Sequence, residues 1–291
     1  MDQRIIDLYD SFTHGFINRR DFLDRLGVIA GSSAAATAIL PLLQNNYAQA
    51  QIVPENDPRL VADTVSFDAP GGKVSGYLVR LKEKGKRPAV VVIHENRGLN
   101  PHIKDVARRL ATEGFLAYAV DFLSTSGGTP PDEDKGREMI GKLNLEQTEK
   151  QAVAAVAFLE KHPESAGKVG AVGFCWGGAM INRLAAASPE LDAAVAYYGR
   201  QIPAERVPGI KAPLLLHYAE KDAGVNAGIA AYETALKANN KKYTIHTYPG
   251  TQHAFNNDAG GARYNKEQAD IAWGRTVAFF KENLGAPPKA G

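Results

Sequence analysis

Ten consecutive residues constrain this chain more than any other stretch: Val169-Gly170-Ala171-Val172-Gly173-Phe174-Cys175-Trp176-Gly177-Gly178. The apolar run Val169 to Val172 reads as a buried strand, and the alanine-rich segment from Ala179 to Ala187 reads as a helix. Between them stands the only cysteine of the chain, with Gly173 two positions before it and Gly177 two positions after. A strand, a sharp turn with a nucleophile at its tip, and a helix make a nucleophile elbow. A strained turn of this kind needs neighbours without a Cβ, so that strand and helix can approach closely. The helix behind the turn directs free N–H groups and the positive end of its dipole at the sulfur, which favours thiolate. The plain alternative is an inert cysteine buried beside a structural turn.

The rest of the chain predicts an α/β fold. Thr64–Phe67 and Val74–Val79 alternate apolar and polar residues around Pro70-Gly71-Gly72, the pattern of a β-hairpin at a sheet edge. Ala89-Val90-Val91-Val92-Ile93 is a continuous, mostly β-branched run, as in a strand buried on both faces. Further apolar strands are expected at Phe115–Val120, Leu191–Tyr197, Pro213–Tyr218 and Tyr243–Tyr248. Helical spacing recurs at His102–Glu113, Leu145–Lys161, Val225–Ala238 and Asn265–Leu284. The segment from Ser124 to Lys142, rich in Gly, Pro and charge, reads as a surface loop whose composition would permit closure over a site. Strands alternating with helices predict a mostly parallel sheet flanked by helices on both faces. Sites in such sheets gather at the carboxyl ends of the strands.

Residues 1–50 have the features of a processing segment. Asn18-Arg19-Arg20-Asp21-Phe22-Leu23 precedes a weakly apolar stretch from Leu26 to Leu43, and Ala48-Gln49-Ala50 supplies a small-x-small cleavage pattern. This predicts a twin-arginine-type export signal cleaved after Ala50, a periplasmic or otherwise exported protein, and the twin-arginine export machinery as a partner. The competing reading is an amphipathic helix that stays with the domain, since Ile5, Ile6, Leu8, Tyr9 and Phe12 have helical spacing. Residues 51–291 form one domain by length. Gly31, Ser32, Ser33 and Pro41 interrupt the apolar stretch, so no stable membrane span is expected. A net charge of +2 without a long basic run argues against nucleic acid. A lone cysteine excludes an internal disulfide and a cysteine-based metal site, and the seven histidines show no zinc spacing. No metal or cofactor is expected, and a monomer is.

A cysteine nucleophile needs a base, a group that orients the base, and donors for an oxyanion. After Cys175 the chain supplies Asp222 just beyond a buried strand and then His253 in a loop opened by Pro249-Gly250. Each gap fits one intervening helix-and-strand unit, and nucleophile, acid, histidine is a known hydrolase order. Asp222 could instead cap the following helix, with Glu220 as the orienter. His94, His102, His162, His217 and His246 sit within or beside strands and helices and fit the role of base less well than His253. The oxyanion donors would be the backbone N–H groups of Trp176 and, in the loop after the Val90–Ile93 strand, Asn96.

With His94-Glu95-Asn96-Arg97-Gly98, Gly173-Phe174-Cys175-Trp176-Gly177-Gly178, Asp222 and His253-Ala254-Phe255 in this order, the chain resembles the dienelactone hydrolase (carboxymethylenebutenolidase) family over about residues 60–285. The resemblance implies an α/β-hydrolase fold and hydrolysis of a small-molecule ester or lactone through a Cys175–Asp222–His253 triad and a thiol acyl-enzyme, without a cofactor. It also implies that Glu95 lies near the sulfur and controls its protonation; a salt bridge from Glu95 to Arg97 is the alternative. The founding type clamps its substrate carboxylate with two arginines. Thr125 and Asn257 stand at those positions here, so a different substrate is expected, with Arg97 as a candidate substrate contact and Arg200 or Arg263 as other substitutes. Two other functions fit the same residues: a non-hydrolytic binding protein on this fold, or a thiol redox sensor, which the lack of a resolving cysteine disfavours.

Overall fold

The computed structural model describes residues 1–13, 15–43, 45–47 and 51–287. The Ala48-Gln49-Ala50 cleavage pattern lies outside the described residues. The chain opens with three helices, α1 (Gln3–Thr13), α2 (Arg19–Ala30) and α3 (Ser33–Leu43). The hairpin β1 (Leu60–Ala69) and β2 (Gly72–Leu81) follows, then β3 (Arg87–Ile93), α4 (Pro101–Thr112) and β4 (Leu116–Asp121). Next come α5 (Glu133–Gly141), α6 (Leu145–Glu160), β5 (Ser165–Phe174), α7 (Trp176–Ala187) and β6 (Ala193–Tyr197). The chain closes with β7 (Leu214–Lys221), α8 (Ala223–Asn226), α9 (Ile229–Ala238), β8 (Tyr243–Gln252) and α10 (Lys266–Leu284).

The strands form one eight-stranded sheet in the order β1-β2-β4-β3-β5-β6-β7-β8. The two edge pairings, β1 with β2 and β2 with β4, are antiparallel, and all others are parallel. β3 is buried along its whole length because the sheet has a core on each face. Ala89, Val91 and Ile93 point to one core, built with α6 and α7; Val90 and Val92 point to the other, built with α4 and α10. Burying each valine or isoleucine stabilises the fold by about 1.5–3 kcal/mol relative to leaving it exposed. Strand order reverses at β3, which has β4 on one side and β5 on the other. A crevice opens at the carboxyl ends where the order reverses, and the loop after β3 and the elbow after β5 both end there.

Two expectations need correction. The segment read as a surface loop contains α5, whose first turn is capped by Asp132 accepting from the Lys135 N–H at 2.8 Å. Its apolar residues are few and become legible only against the partner they cover. The helix expected from Val225 to Ala238 is two helices, with a break at Ala227-Gly228.

α1–α3 form a small core of their own. Leu8, Tyr9 and Phe12 of α1 pack with Phe22 and Leu26 of α2 and with Ala36 and Leu43 of α3. Phe12 and Phe22 stack with ring centroids 4.7 Å apart. α2 and α3 meet at a bend of 111°, and among the described residues no single helix is long and apolar enough to cross a membrane.

Candidate active site

The elbow is held by backbone. Cys175 adopts φ 56°, ψ −114°, a region that costs an L-residue about 1–3 kcal/mol. Its N–H donates to the Tyr197 carbonyl at 3.0 Å, and its carbonyl accepts from Ala179, closing the first turn of α7. The flanking glycines are explained by close approach. A Cβ on Gly173 would strike the Gly177 carbonyl, and one on Gly177 would strike the carbonyls of Ile93 and His94. Strand β5, helix α7 and the end of β3 therefore meet backbone to backbone, and this seats Cys175 at the head of α7.

The acid and the histidine come to the cysteine. Asp222 follows β7, and its Oδ2 lies 2.6 Å from His253 Nδ1. Its Oδ1 accepts from the Val225 N–H at 3.3 Å, so Asp222 caps α8 as well as orienting the histidine. Glu220 is turned outward and accepts from the Gly250 N–H at 2.8 Å. His253 is buried and hydrogen-bonded to Cys175 on its other side. Burial by itself opposes the imidazolium. The Cys175 and Asp222 charges and hydrogen bonds outweigh it and hold His253 well above its ordinary pKa.

Other histidines are occupied elsewhere. His94 stacks on Trp176, at 5.3 Å between centroids and 9° between planes, and its Nδ1 lies 2.6 Å from the Glu95 carbonyl oxygen. His217 is buried between Tyr248 and Thr276, and burial pushes it well below its ordinary pKa. His102 pairs with Asp258 at 2.7 Å.

Glu95 is buried and shares a void of about 10 Å³ with Cys175, His253 and Arg263. Its Oε2 accepts from Asn257 Nδ2 at 2.7 Å, and Oε1 has no hydrogen-bond partner among the described residues. Asn257, at one of the two expected arginine positions, thus holds the glutamate. Thr125, at the other, is exposed in a short helical turn. Arg97 does not line the main cavity, but it does line the small void beside Cys175 and His253. Its Nε lies 3.3 Å from Glu133 Oε2 and its Nη2 donates to Tyr9 Oη at 3.2 Å, so it is spent on α5 and α1 rather than paired with Glu95. Asn96 lies in the loop after β3, and Trp176 opens α7 directly behind the elbow.

Cys175 and His253 open into a cavity of about 570 Å³. Ile140, Leu143, Leu145, Trp176, Ala179 and Val225 give it apolar walls, and Arg137 and Arg200 bring guanidinium groups. Three linings were missed from the sequence: Tyr198, Arg137 and the end of α1. Tyr198 follows β6 at φ 38° with its ring 5.0 Å from His253. Nothing local marks it, because its role depends on strand order.

A thiol elbow with an acid and a histidine at the switch point of a mostly parallel sheet defines an α/β-hydrolase. Residues 74–284 match the dienelactone hydrolase family, and the chain belongs to that family. It is a hydrolase acting on ester or lactone substrates. It is 32% identical over 253 residues to a protein of Saccharolobus solfataricus provisionally called a carboxymethylenebutenolidase, covering 75% of this chain and 97% of that one. Protein usf of Aquifex pyrophilus is 38% identical over 230 residues, 76% of this chain and 98% of its own. Among solved structures, a dienelactone hydrolase-like promiscuous phosphotriesterase from metagenomic libraries superposes with a TM-score of 0.70 at 26% identity, covering 78% of this chain and 100% of that one. Residues 1–31 match a separate family description, YqhI-like.

Proposed function

We propose that the protein hydrolyses its ester or lactone through a thiol acyl-enzyme on Cys175, with His253 as proton carrier and Asp222 as its orienter. The observation that carries this reading is the unbroken chain from Cys175 to His253 to Asp222, with the 2.6 Å contact at its far end and a 570 Å³ cavity at its near end. The Cys175 thiolate attacks the carbonyl carbon and forms a C–S bond. The oxyanion is received by the N–H groups of Asn96 and Trp176, each such donor contributing about 2.7–4 kcal/mol to the transition state. The C–O bond to the leaving alkoxide breaks, and that alkoxide takes the proton from His253. Water then attacks the thioester and gives a proton to His253; the C–S bond breaks, the acid leaves and the thiolate–imidazolium pair is restored. Glu95, fixed by Asn257 beside the sulfur, disfavours an extra negative charge there and restrains the thiolate until substrate arrives.

The cavity supports a substrate with an apolar body. Arg137 and Arg200, rather than arginines at positions 125 and 257, are placed to meet an anionic or polar tail. A panel of p-nitrophenyl esters and lactones, with intact-mass analysis of the enzyme during turnover, tests the mechanism. A thioester adduct on wild type and none on Cys175→Ala is expected; undiminished hydrolysis by Cys175→Ala would overturn it.

A further inference from the structure

The end of α1 lines the cavity, and α2 and α3 pack against α1. Thr13 and Gly15, at the end of α1, line the same cavity as Cys175 and His253. The Thr13 carbonyl accepts from Asn96 Nδ2 at 2.6 Å, so this wall is tied to the loop that carries the Asn96 amide. Each rim of the crevice holds the helices by a different contact. On the β3 side, buried Arg97 reaches Tyr9 of α1, and Tyr47 hydrogen-bonds Glu133 of α5. On the α5 side, the Arg137 guanidinium sits 4.1 Å from the Phe12 ring centroid, and Arg19 pairs with Asp134 at 2.6 Å. On the β8 side, Arg263 stacks on Tyr9 at 5.0 Å, and the Asn46 N–H donates to the Ala259 carbonyl at 2.9 Å.

The paired-arginine stretch opens α2, with Arg19 and Arg20 themselves exposed. Asn18 caps α2 by accepting from the Asp21 N–H, and Phe22 is 1% exposed within the small core. Stripping these helices would leave Arg97 and Arg263 without Tyr9, and the Asn96 amide side chain without its acceptor.

We propose that α1–α3 are a cap retained in the working enzyme, and that the end of α1 is the wall that sets how long an acyl or alcohol group can reach Cys175. The proposal rests on the hydrolase reading above for its substrate, but not for its geometry. It is incompatible with removal of residues 1–50 from the active form.

Two readouts on the full chain keep the two readings apart. The first is kcat/KM along a p-nitrophenyl ester series from acetate to decanoate. Phe12→Ala, which removes the ring between Phe22 and Arg137, is expected to raise the decanoate-to-acetate ratio at least about fivefold. Tyr9→Phe, which removes only the hydroxyl bonded to Arg97, should move it the same way by less and guards against misfolding of the first variant. The second readout needs no turnover. Cys175 is the only thiol, so its labelling rates with iodoacetamide and with a bulky maleimide report access directly. Wild type should discriminate against the bulky reagent by about tenfold or more, and Phe12→Ala should lose most of that discrimination. Cap-dependent labelling without any ester turnover would leave the cap standing and sink the hydrolase reading. An unchanged ester profile and unchanged labelling in both variants would overturn the cap and leave the hydrolase. Intact mass of the active protein from its own host should begin at the N-terminal helices; an active form starting at Gln51 would also overturn it.

Discussion

Two regions enclose the same cavity and keep their shape by different means. At the elbow, β5, α7 and the end of β3 touch through carbonyls and glycines, and Cys175 is locked by bonds to Tyr197 and Ala179. At the cap, Tyr9 and Phe12 of α1 and Arg19 of α2 clip onto α5, the β3–α4 loop and the β8–α10 loop through rings and guanidinium groups. Backbone contacts leave no room for change, whereas side-chain clips can be weakened one at a time. The elbow should therefore respond to substitution all or none, and the cap by degrees.

The sharpest test lies at the elbow. Cys175→Ala should lower kcat/KM by at least about 10³-fold, and Asp222→Asn, which disturbs the tautomer of His253, by about 10²–10⁴-fold in a steady-state ester assay. Gly177→Val should destabilise the whole domain, because its side chain meets the Ile93 and His94 carbonyls; a loss of about 1–3 kcal/mol or more is expected in denaturant melts. A single cooperative transition, with no separate early phase, would set it apart from a cap variant. Leu26→Ala, in the fully buried centre of the cap, should cost about 2–4 kcal/mol. That loss should be confined to α1–α3, where amide exchange would quicken while the sheet stays protected. Equal loosening of cap and sheet would break the contrast.

The pH dependence carries a definite sign. His253 has its pKa raised in the folded state, so the stability it brings is fully present below its unfolded value of about 6.5 and is lost as pH rises through the folded value. Wild type should thus lead His253→Gln by most below about pH 6.5 and by progressively less as pH rises above it in equilibrium melts. A gap that widened with pH would reverse the assignment. The smallest effect is expected at Arg19→Ala, since its pair with Asp134 is exposed and worth under about 1 kcal/mol. A cap tolerates that loss. An export signal that depends on paired arginines does not, and periplasmic yield in the native host would separate the two.

The contrast also sorts what could be read in advance. Cys175, its glycines, Asp222 and His253 were legible because an elbow, a strand-end acid and a loop histidine leave local marks in composition and order. The hairpin, the buried β3 run and the closing helix were legible through their periodicity. Asp222 needed the structure to show that capping α8 and orienting His253 are simultaneous roles for its two oxygens. That Arg97 turns toward Glu133 and Tyr9 was not legible, because adjacency to Glu95 in sequence says nothing of which way a long side chain turns. Tyr198 and Arg137 were invisible as site residues, and Asn257 was legible as a site position but not as the partner of Glu95, since each meets a group brought near by the tertiary fold.

By itself, the sequence determined a mostly parallel sheet with a thiol at its switch point, and it marked Asp222 and His253 as candidates to stand beside that thiol. Those features depend on short-range backbone demands and on hydrophobic period, which are written locally. Tertiary structure alone decided where α1–α3 pack and that the end of α1 lines the cavity. An amphipathic helix shows that it has an apolar face; what covers that face depends on which other surfaces the fold leaves open. Here the open surface is the rim around Cys175, and the same apolar spacing that fits a leader peptide fits a wall.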